Sequence, residues 1–149
     1  MLVNEIMAKH VITIESDKTI LEACNRYNDY KIGCLLAMKN EKIVGIVTER
    51  DIISRVIVNQ KNPATTKIEE VMSKNIKSIH PQAPIMEAAN VMGDYKIKKL
   101  PVIDENGTLH GIITISDIID IIPNYLKSIA EGDTNSFRYE SGPHQQAKV

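Results

Sequence analysis

The sequence is poor in the features that most often carry chemistry. Its two cysteines, Cys24 and Cys34, stand alone, with no Cys-x-x-Cys and no cluster of histidines. That leaves no disulfide framework and no recognisable metal-ligand spacing, so both read as reduced core thiols. It has no excess of base: 18 Lys and Arg face 19 Asp and Glu, a net charge of −1. A nucleic-acid partner is therefore not expected, because phosphate binding needs a basic face. No apolar run approaches the ~20 residues of a membrane span, and no basic segment followed by a long apolar run opens the chain. The expectation is a cytoplasmic protein without a membrane partner. A nucleophile with a neighbouring base and a glycine-rich phosphate loop are missing as well, so an enzyme is not expected.

What is present is a repeat. Gly45-Ile46-Val47-Thr48-Glu49-Arg50-Asp51-Ile52-Ile53 returns as Gly111-Ile112-Ile113-Thr114-Ile115-Ser116-Asp117-Ile118-Ile119, 66 positions later. Glu5-Ile6-Met7 returns as Glu70-Val71-Met72, Ile20-Leu21-Glu22-Ala23 as Ile85-Met86-Glu87-Ala88, and Asp29-Tyr30-Lys31-Ile32 intact as Asp94-Tyr95-Lys96-Ile97, all at an offset of 65. The extra residue enters in the turn Asp104-Glu105-Asn106-Gly107, where equivalent units tolerate a length change. One unit is used twice. With 149 residues in all, each copy alone is near the lower limit for a stable core, so the copies are expected to pack into one body.

Read in order, Val11 to Ile14 alternates as a strand, and Thr19-Ile20-Leu21-Glu22 is a capping box opening a helix. Ile20, Ala23, Cys24 and Tyr27 fall on one face of that helix. Cys34 to Met38 and Ile43 to Val47 read as strands joined by a hairpin turn, and a helix from about Glu49 to Val58 closes the unit as β-α-β-β-α. Polar Asn59 to Lys67, with Pro63, is a linker. The second unit repeats the order: a strand Ile76 to Ile79, a helix after Pro84, strands Leu100 to Ile103 and Leu109 to Ile113 around Asn106-Gly107, and a helix from near Ser116. The division is residues 1–62, 63–127 and a tail 128–149, expected to be flexible or to order against a partner. Ile118, Ile119, Ile121 and Ile122, like Ile52, Ile53, Val56, Ile57 and Val58, cover more than one helical stripe. They can be buried between the repeats; the sharper expectation is that part of this surface meets another subunit.

In each copy an apolar strand ends in Thr-x-x-Asp and runs into a helix, where unpaired N–H groups and the helix dipole favour an anion. Gly45, Thr48 and Asp51, with Gly111, Thr114 and Asp117, are the motif through which the chain resembles the tandem CBS-domain pair, or Bateman module. Met72, Glu87-Ala88 and Leu100-Pro101-Val102 support the resemblance, which covers roughly residues 3–122. It implies an α/β (α+β) fold of two β-α-β-β-α repeats packed with pseudo-two-fold symmetry, and homodimers formed through the helices, which suits the isoleucine-rich ones. It also implies a stand-alone, non-catalytic sensor with no required cofactor, binding AMP, ADP or ATP in clefts between the repeats and signalling to a regulated protein. S-adenosylmethionine, methylthioadenosine and NAD are rarer ligands of the family. The rival reading is a structural dimerisation module with degenerate clefts.

Carried onto this sequence, Asp51 and Asp117 are the ribose acids, since a carboxylate can accept from both hydroxyls of the diol. Their plainer role is that of acids at a helix start. Thr48 and Thr114 are N-caps that also reach phosphate or ribose oxygens in the family. Arg50 offers a planar fork to phosphate; its counterpart Ser116 offers a hydroxyl. Lys98 and Lys99, which answer Gly33 and Cys34, add charge to the second unit or are simply solvated. Ile14, Ile79, His80 and Pro101 are the expected adenine surroundings. Because Leu35-Leu36-Ala37 stands where the other copy has Leu100-Pro101-Val102, the two clefts are expected to differ.

Overall fold

A computed structural model describes residues 1–130. The first repeat runs β1 (Thr13–Glu15), α2 (Ile20–Tyr30), β2 (Cys34–Lys39), β3 (Lys42–Thr48) and α3 (Glu49–Ile52), after a short α1 (Val3–Ile6). The second runs α4 (Ile85–Tyr95), β4 (Lys99–Ile103), β5 (Leu109–Thr114) and α5 (Ile115–Ala130). In the first sheet β2 lies between β1, parallel to it, and β3, antiparallel; β4 and β5 form the equivalent antiparallel pair. Both hairpins carry a register shift at the same point, between Ala37 and Met38 and between Val102 and Ile103.

Local chemistry sets most boundaries. Thr19 accepts the Glu22 N–H at 3.2 Å while Glu22 accepts the Thr19 N–H at 2.8 Å, the reciprocal box that starts α2. Both α2 and α4 end on a left-handed lysine, Lys31 (φ 54°) and Lys96 (φ 53°). The first hairpin turns through Asn40 and Glu41, both left-handed, as a two-residue turn of the primed kind requires. The second, one residue longer, turns at Gly107 (φ 81°) and is held by the Asp104 carboxylate, which accepts the Asn106 and Thr108 N–H groups at 2.9 and 3.0 Å.

Three elements depart from the sequence reading. The strand expected over Ile76 to Ile79 shrinks to one parallel bridge, Ile79 with Val102. In the first repeat Ser16 donates its N–H to Met38 at 2.9 Å; its counterpart is Pro81, which has no N–H to give Ile103, and the ladder stops. The helix expected to Val58 is α-helical only to Ile52 and continues as a π-helical turn over Ile53–Ile57. And α5 continues through Pro123 to Ala130, so the expected tail begins inside it; from 131 onward that tail lies outside the described residues.

The packing crosses between repeats. The first core gathers Ile14, Ile20, Tyr27, Leu35, Val47 and Val56, but its last members, Ile68 and Val71, come from the segment leading into the second repeat. The second core gathers Ile79, Met92, Leu100, Val102, Ile113 and Ile118, and is completed by Val3 from the segment leading into the first. Each lead-in also hydrogen-bonds the motif strand of the other unit: Ala8 exchanges two bonds of 2.9 Å with Ile112, and Ser73 exchanges bonds of 2.8 and 3.0 Å with Ile46. Gly45 and Gly111 are where these lead-ins press closest. A Cβ at Gly45 would sit 2.3 Å from the Met72 sulfur, and one at Gly111 2.5 Å from the Ala8 carbonyl oxygen. The last helix of each repeat buries one stripe, Ile52 and Val56 or Ile118, and leaves Ile53 (60 % exposed), Ile57 (58 %), Ile119 (54 %) and Ile122 (44 %) in solvent.

Candidate functional site

A cleft opens where the first repeat meets β5. His10, Val11 and Ile12 lead into β1; Lys31, Ile32, Gly33 and Cys34 carry the chain from α2 into β2, with Leu36 beyond. Lys99, Ile112 and Thr114 face them from the second repeat. Its volume of about 260 Å³ is close to the ~300 Å³ lower end of small-molecule sites. The walls are apolar, through Val11, Ile12, Ile32, Leu36 and Ile112, and Lys31 and Lys99 add cationic charge.

The turn from α2 is fixed by the left-handed Lys31, whose N–H returns to the Tyr27 carbonyl. The Gly33 carbonyl then accepts the Glu49 N–H at 3.1 Å, tying this turn to the start of α3. Glu49 and Lys99 converge on Gly33: a Cβ there would be 3.5 Å from both the Glu49 carboxylate and Lys99 Nζ. Burial pushes the Cys34 thiol above its ordinary range, against the opposing pull of Lys99, which disfavours its thiolate.

At the far side of the cleft Thr114 and Asp117 form a closed box. The Thr114 N–H and hydroxyl donate to Asp117 Oδ2 at 2.7 and 2.8 Å, and the Asp117 N–H returns to Thr114 Oγ1 at 3.2 Å. Among the described residues Asp117 Oδ1 has no partner. Thr48 and Asp51 make the same box, with the Thr48 N–H to Asp51 Oδ2 at 3.0 Å and the Asp51 N–H to Thr48 Oγ1 at 3.2 Å. Here the second oxygen is taken: Asp51 Oδ1 lies 3.5 Å from Arg55 Nη2.

Of the residues singled out in the sequence, Thr114 and Lys99 line this cleft, and Asp117 stands behind Thr114. Thr48 and Asp51 form the equivalent box at the start of α3, which the Glu49–Gly33 hydrogen bond ties to the turn lining this cleft. Arg50, Ser116 and Lys98 are exposed. Ile14, Ile79 and Pro101 are buried and are not among the lining residues, and His80 pairs with Glu105 at 2.8 Å. The lining residues from His10 to Leu36 were not anticipated. Nothing in the spelling says that Thr114 of one repeat faces the strand entry of the other. By the offset of 65, the counterparts of Ile12, Gly33 and Leu36 in the second repeat are Lys77, Lys98 and Pro101, and Lys77 lies over the Tyr95 ring at 4.4 Å. Among the described residues no group of His, Cys, Asp and Glu is arranged to hold a metal ion, and no helix is long and apolar enough to cross a membrane.

The CBS domain model matches residues 3–58 and again 68–124. The chain belongs to the CBS-domain family. It is a CBS pair, and the exchanged lead-ins and paired Thr-x-x-Asp boxes are how this pair is built. An uncharacterised protein of Methanopyrus kandleri is 31% identical over 139 residues, 93% of this chain and 70% of that protein. The inosine-5′-monophosphate dehydrogenase of Methanocaldococcus jannaschii is 35% identical over 117 residues, 78% of this chain but only 22% of the enzyme. Among solved structures, the CBS domain pair of protein MJ0100, in complex with 5′-methylthioadenosine and S-adenosylmethionine, superposes with a TM-score of 0.75 at 32% identity, covering 84% of this chain and 98% of that one. A hexameric CBS-CP12 protein of bloom-forming cyanobacteria superposes at 0.73 with 27% identity, over 88% and 79%.

Proposed function

We propose that this CBS pair is a regulatory module that binds an adenosine-type ligand between its repeats and passes the ligand's presence to a partner protein. The observation that carries the reading is the Thr114 edge of the cleft: Thr114 lines the slot, and the Asp117 carboxylate bonded to it keeps one oxygen without a partner among the described residues. A ribose diol matches that oxygen, a purine matches the slot, and the MJ0100 pair holds two adenosine compounds. The lysines favour a phosphorylated member, AMP, ADP or ATP, over the sulfonium of S-adenosylmethionine. Because the lining comes from both repeats, a bound ligand bridges them, and it shifts their arrangement to the extent that it binds one arrangement better.

The exposed Ile53, Ile57, Ile119 and Ile122 favour a homodimer formed through the closing helices, with the signal read on that assembly in the cytoplasm. They also favour the second reading, a dimerisation module without ligand. Calorimetric titration of AMP, ADP, ATP, NAD, S-adenosylmethionine and 5′-methylthioadenosine into wild type and Asp117→Ala decides between them. Micromolar binding lost in Asp117→Ala supports the sensor. Silence across the panel, from a dimer verified by light scattering, leaves the structural module.

A further inference from the structure

The two motif acids are chemically unequal, and the difference lies in one side chain outside the motif. Arg55 stands one helical turn beyond Asp51, on the π-helical stretch over Ile53–Ile57. Its Nη2 faces Asp51 Oδ1 at 3.5 Å. Its Nη1 donates to the Val71 carbonyl at 2.5 Å, and Val71 belongs to the first core. The guanidinium is therefore held from two sides, and the Asp51 carboxylate has both oxygens engaged: Oδ2 by the Thr48 N–H and Oδ1 by Arg55. In the second repeat the position of Arg55 is Ile121, by the offset of 66. An isoleucine can neither pair with Asp117 nor reach a carbonyl, and Asp117 keeps Oδ1 open.

We infer that Arg55 is a specificity-determining latch: it withholds Asp51 from a ribose diol, so that the Asp117 cleft alone accepts nucleoside. The inference rests on the nucleoside reading above and deepens it by assigning occupancy to one acid. A diol binds a carboxylate by donating to it twice. At Asp117 one oxygen is ready. At Asp51 the same approach must first displace a charged group that is also bonded to the protein backbone.

The test is calorimetry with AMP as the probe, read for stoichiometry as well as affinity. Wild type is expected to bind a single AMP per chain, and Asp117→Ala to bind none. Arg55→Ile, which copies the second repeat, is expected to bind a second AMP, and Arg55→Ile with Asp117→Ala to retain that site alone. Arg55→Gln serves if Arg55→Ile does not fold, because it keeps a polar side chain at this part-exposed position while carrying no charge to Asp51; it too is expected to gain a site. Two ligands per chain in wild type overturn the inference, as does unchanged stoichiometry in both folded Arg55 variants. Weaker binding at the wild-type site in those variants also overturns it, by placing Arg55 on the ligand. No binding by wild type or variants overturns the nucleoside reading itself and this inference with it, an outcome distinct from a single site that ignores Arg55.

Discussion

One methyl group added at Gly111 is expected to cost far more than the same methyl at Gly45, although the nearer contact is at Gly45. At Gly45 the new Cβ meets the Met72 side chain, at 2.3 Å from its sulfur and 2.7 Å from its Cγ. Methionine has three rotatable bonds and adapts. At Gly111 the Cβ meets the Ala8 carbonyl oxygen at 2.5 Å, with the Met7 sulfur at 2.9 Å. That carbonyl accepts the Ile112 N–H at 2.9 Å and cannot move without weakening the bonds that dock the lead-in. Overpacking costs ~1–3 kcal/mol, and removing a glycine from the unfolded chain offsets ~0.4–1 kcal/mol. Gly45→Ala therefore lies within ~1 kcal/mol of wild type, and Gly111→Ala falls ~2 kcal/mol below it. For a chain of this size that lowers Tm by roughly 4–8 °C. Urea denaturation followed by circular dichroism measures both, and a double-mutant cycle with Met7→Ala separates sulfur from carbonyl. Equal costs at the two glycines, or full rescue of Gly111→Ala by Met7→Ala, would refute the backbone argument.

Tyr27→Phe is expected to lose about 1 kcal/mol in the same assay, since the buried Tyr27 hydroxyl donates to the Val47 carbonyl at 2.7 Å. Burial, then the neighbouring thiols of Cys34 and Cys24, push that phenol far above its ordinary range, so ultraviolet titration should show Tyr27 silent until the chain unfolds. In the second hairpin the His110 hydrogen bond, followed by the Thr108 N–H, holds the Asp104 carboxyl below the usual carboxylate range. A carboxyl lowered by folding contributes stability above its unfolded pKa, and that contribution is lost as pH falls through the lowered folded value. NMR titration is expected to find Asp104 low in wild type and higher in His110→Ala; no change would remove His110 as the cause. Lys99→Ala is expected to weaken AMP by roughly tenfold, the loss of one charge-assisted contact, while leaving 5′-methylthioadenosine unaffected; equal weakening of both would place Lys99 on the nucleoside instead of the phosphate.

What the sequence made legible is what neighbours in sequence decide. The Thr19–Glu22 box, the place of the first hairpin turn, and both Thr-x-x-Asp motifs depend on contacts spanning a few residues, whereas the left-handed backbone at Asn40 and Glu41 shows only in the structure. The duplication then fixed which elements answer one another. The unread features depend on contacts between distant segments. Val3 and Val71 look like ordinary lead-in residues, and only the fold places each in the core of the other repeat. Pro81 cuts the second repeat's first strand because of a partner at Ile103, far away in sequence. Arg55 belongs to no motif, and only the fold sets Asp51 and the Val71 carbonyl on either side of it. The cleft lining followed the same pattern: Thr114 and Lys99 were legible from the motif and its flank, His10 and Lys31 were not.

The crossed lead-ins also bear on what a single repeat is worth by itself. Cut in the linker, the first piece would hold a lead-in without the sheet it completes, and a sheet missing Ile68 and Val71. The second piece would have the mirror-image deficit, with no Val3 for its core. Each fragment is thus expected to fold only when the other supplies its missing segment, as a reconstituted pair whose yield rises with concentration. Joining them in one chain replaces that encounter with an effective concentration in the ~millimolar range for a short linker. Within one chain the two repeats trade their first residues without having to meet by diffusion.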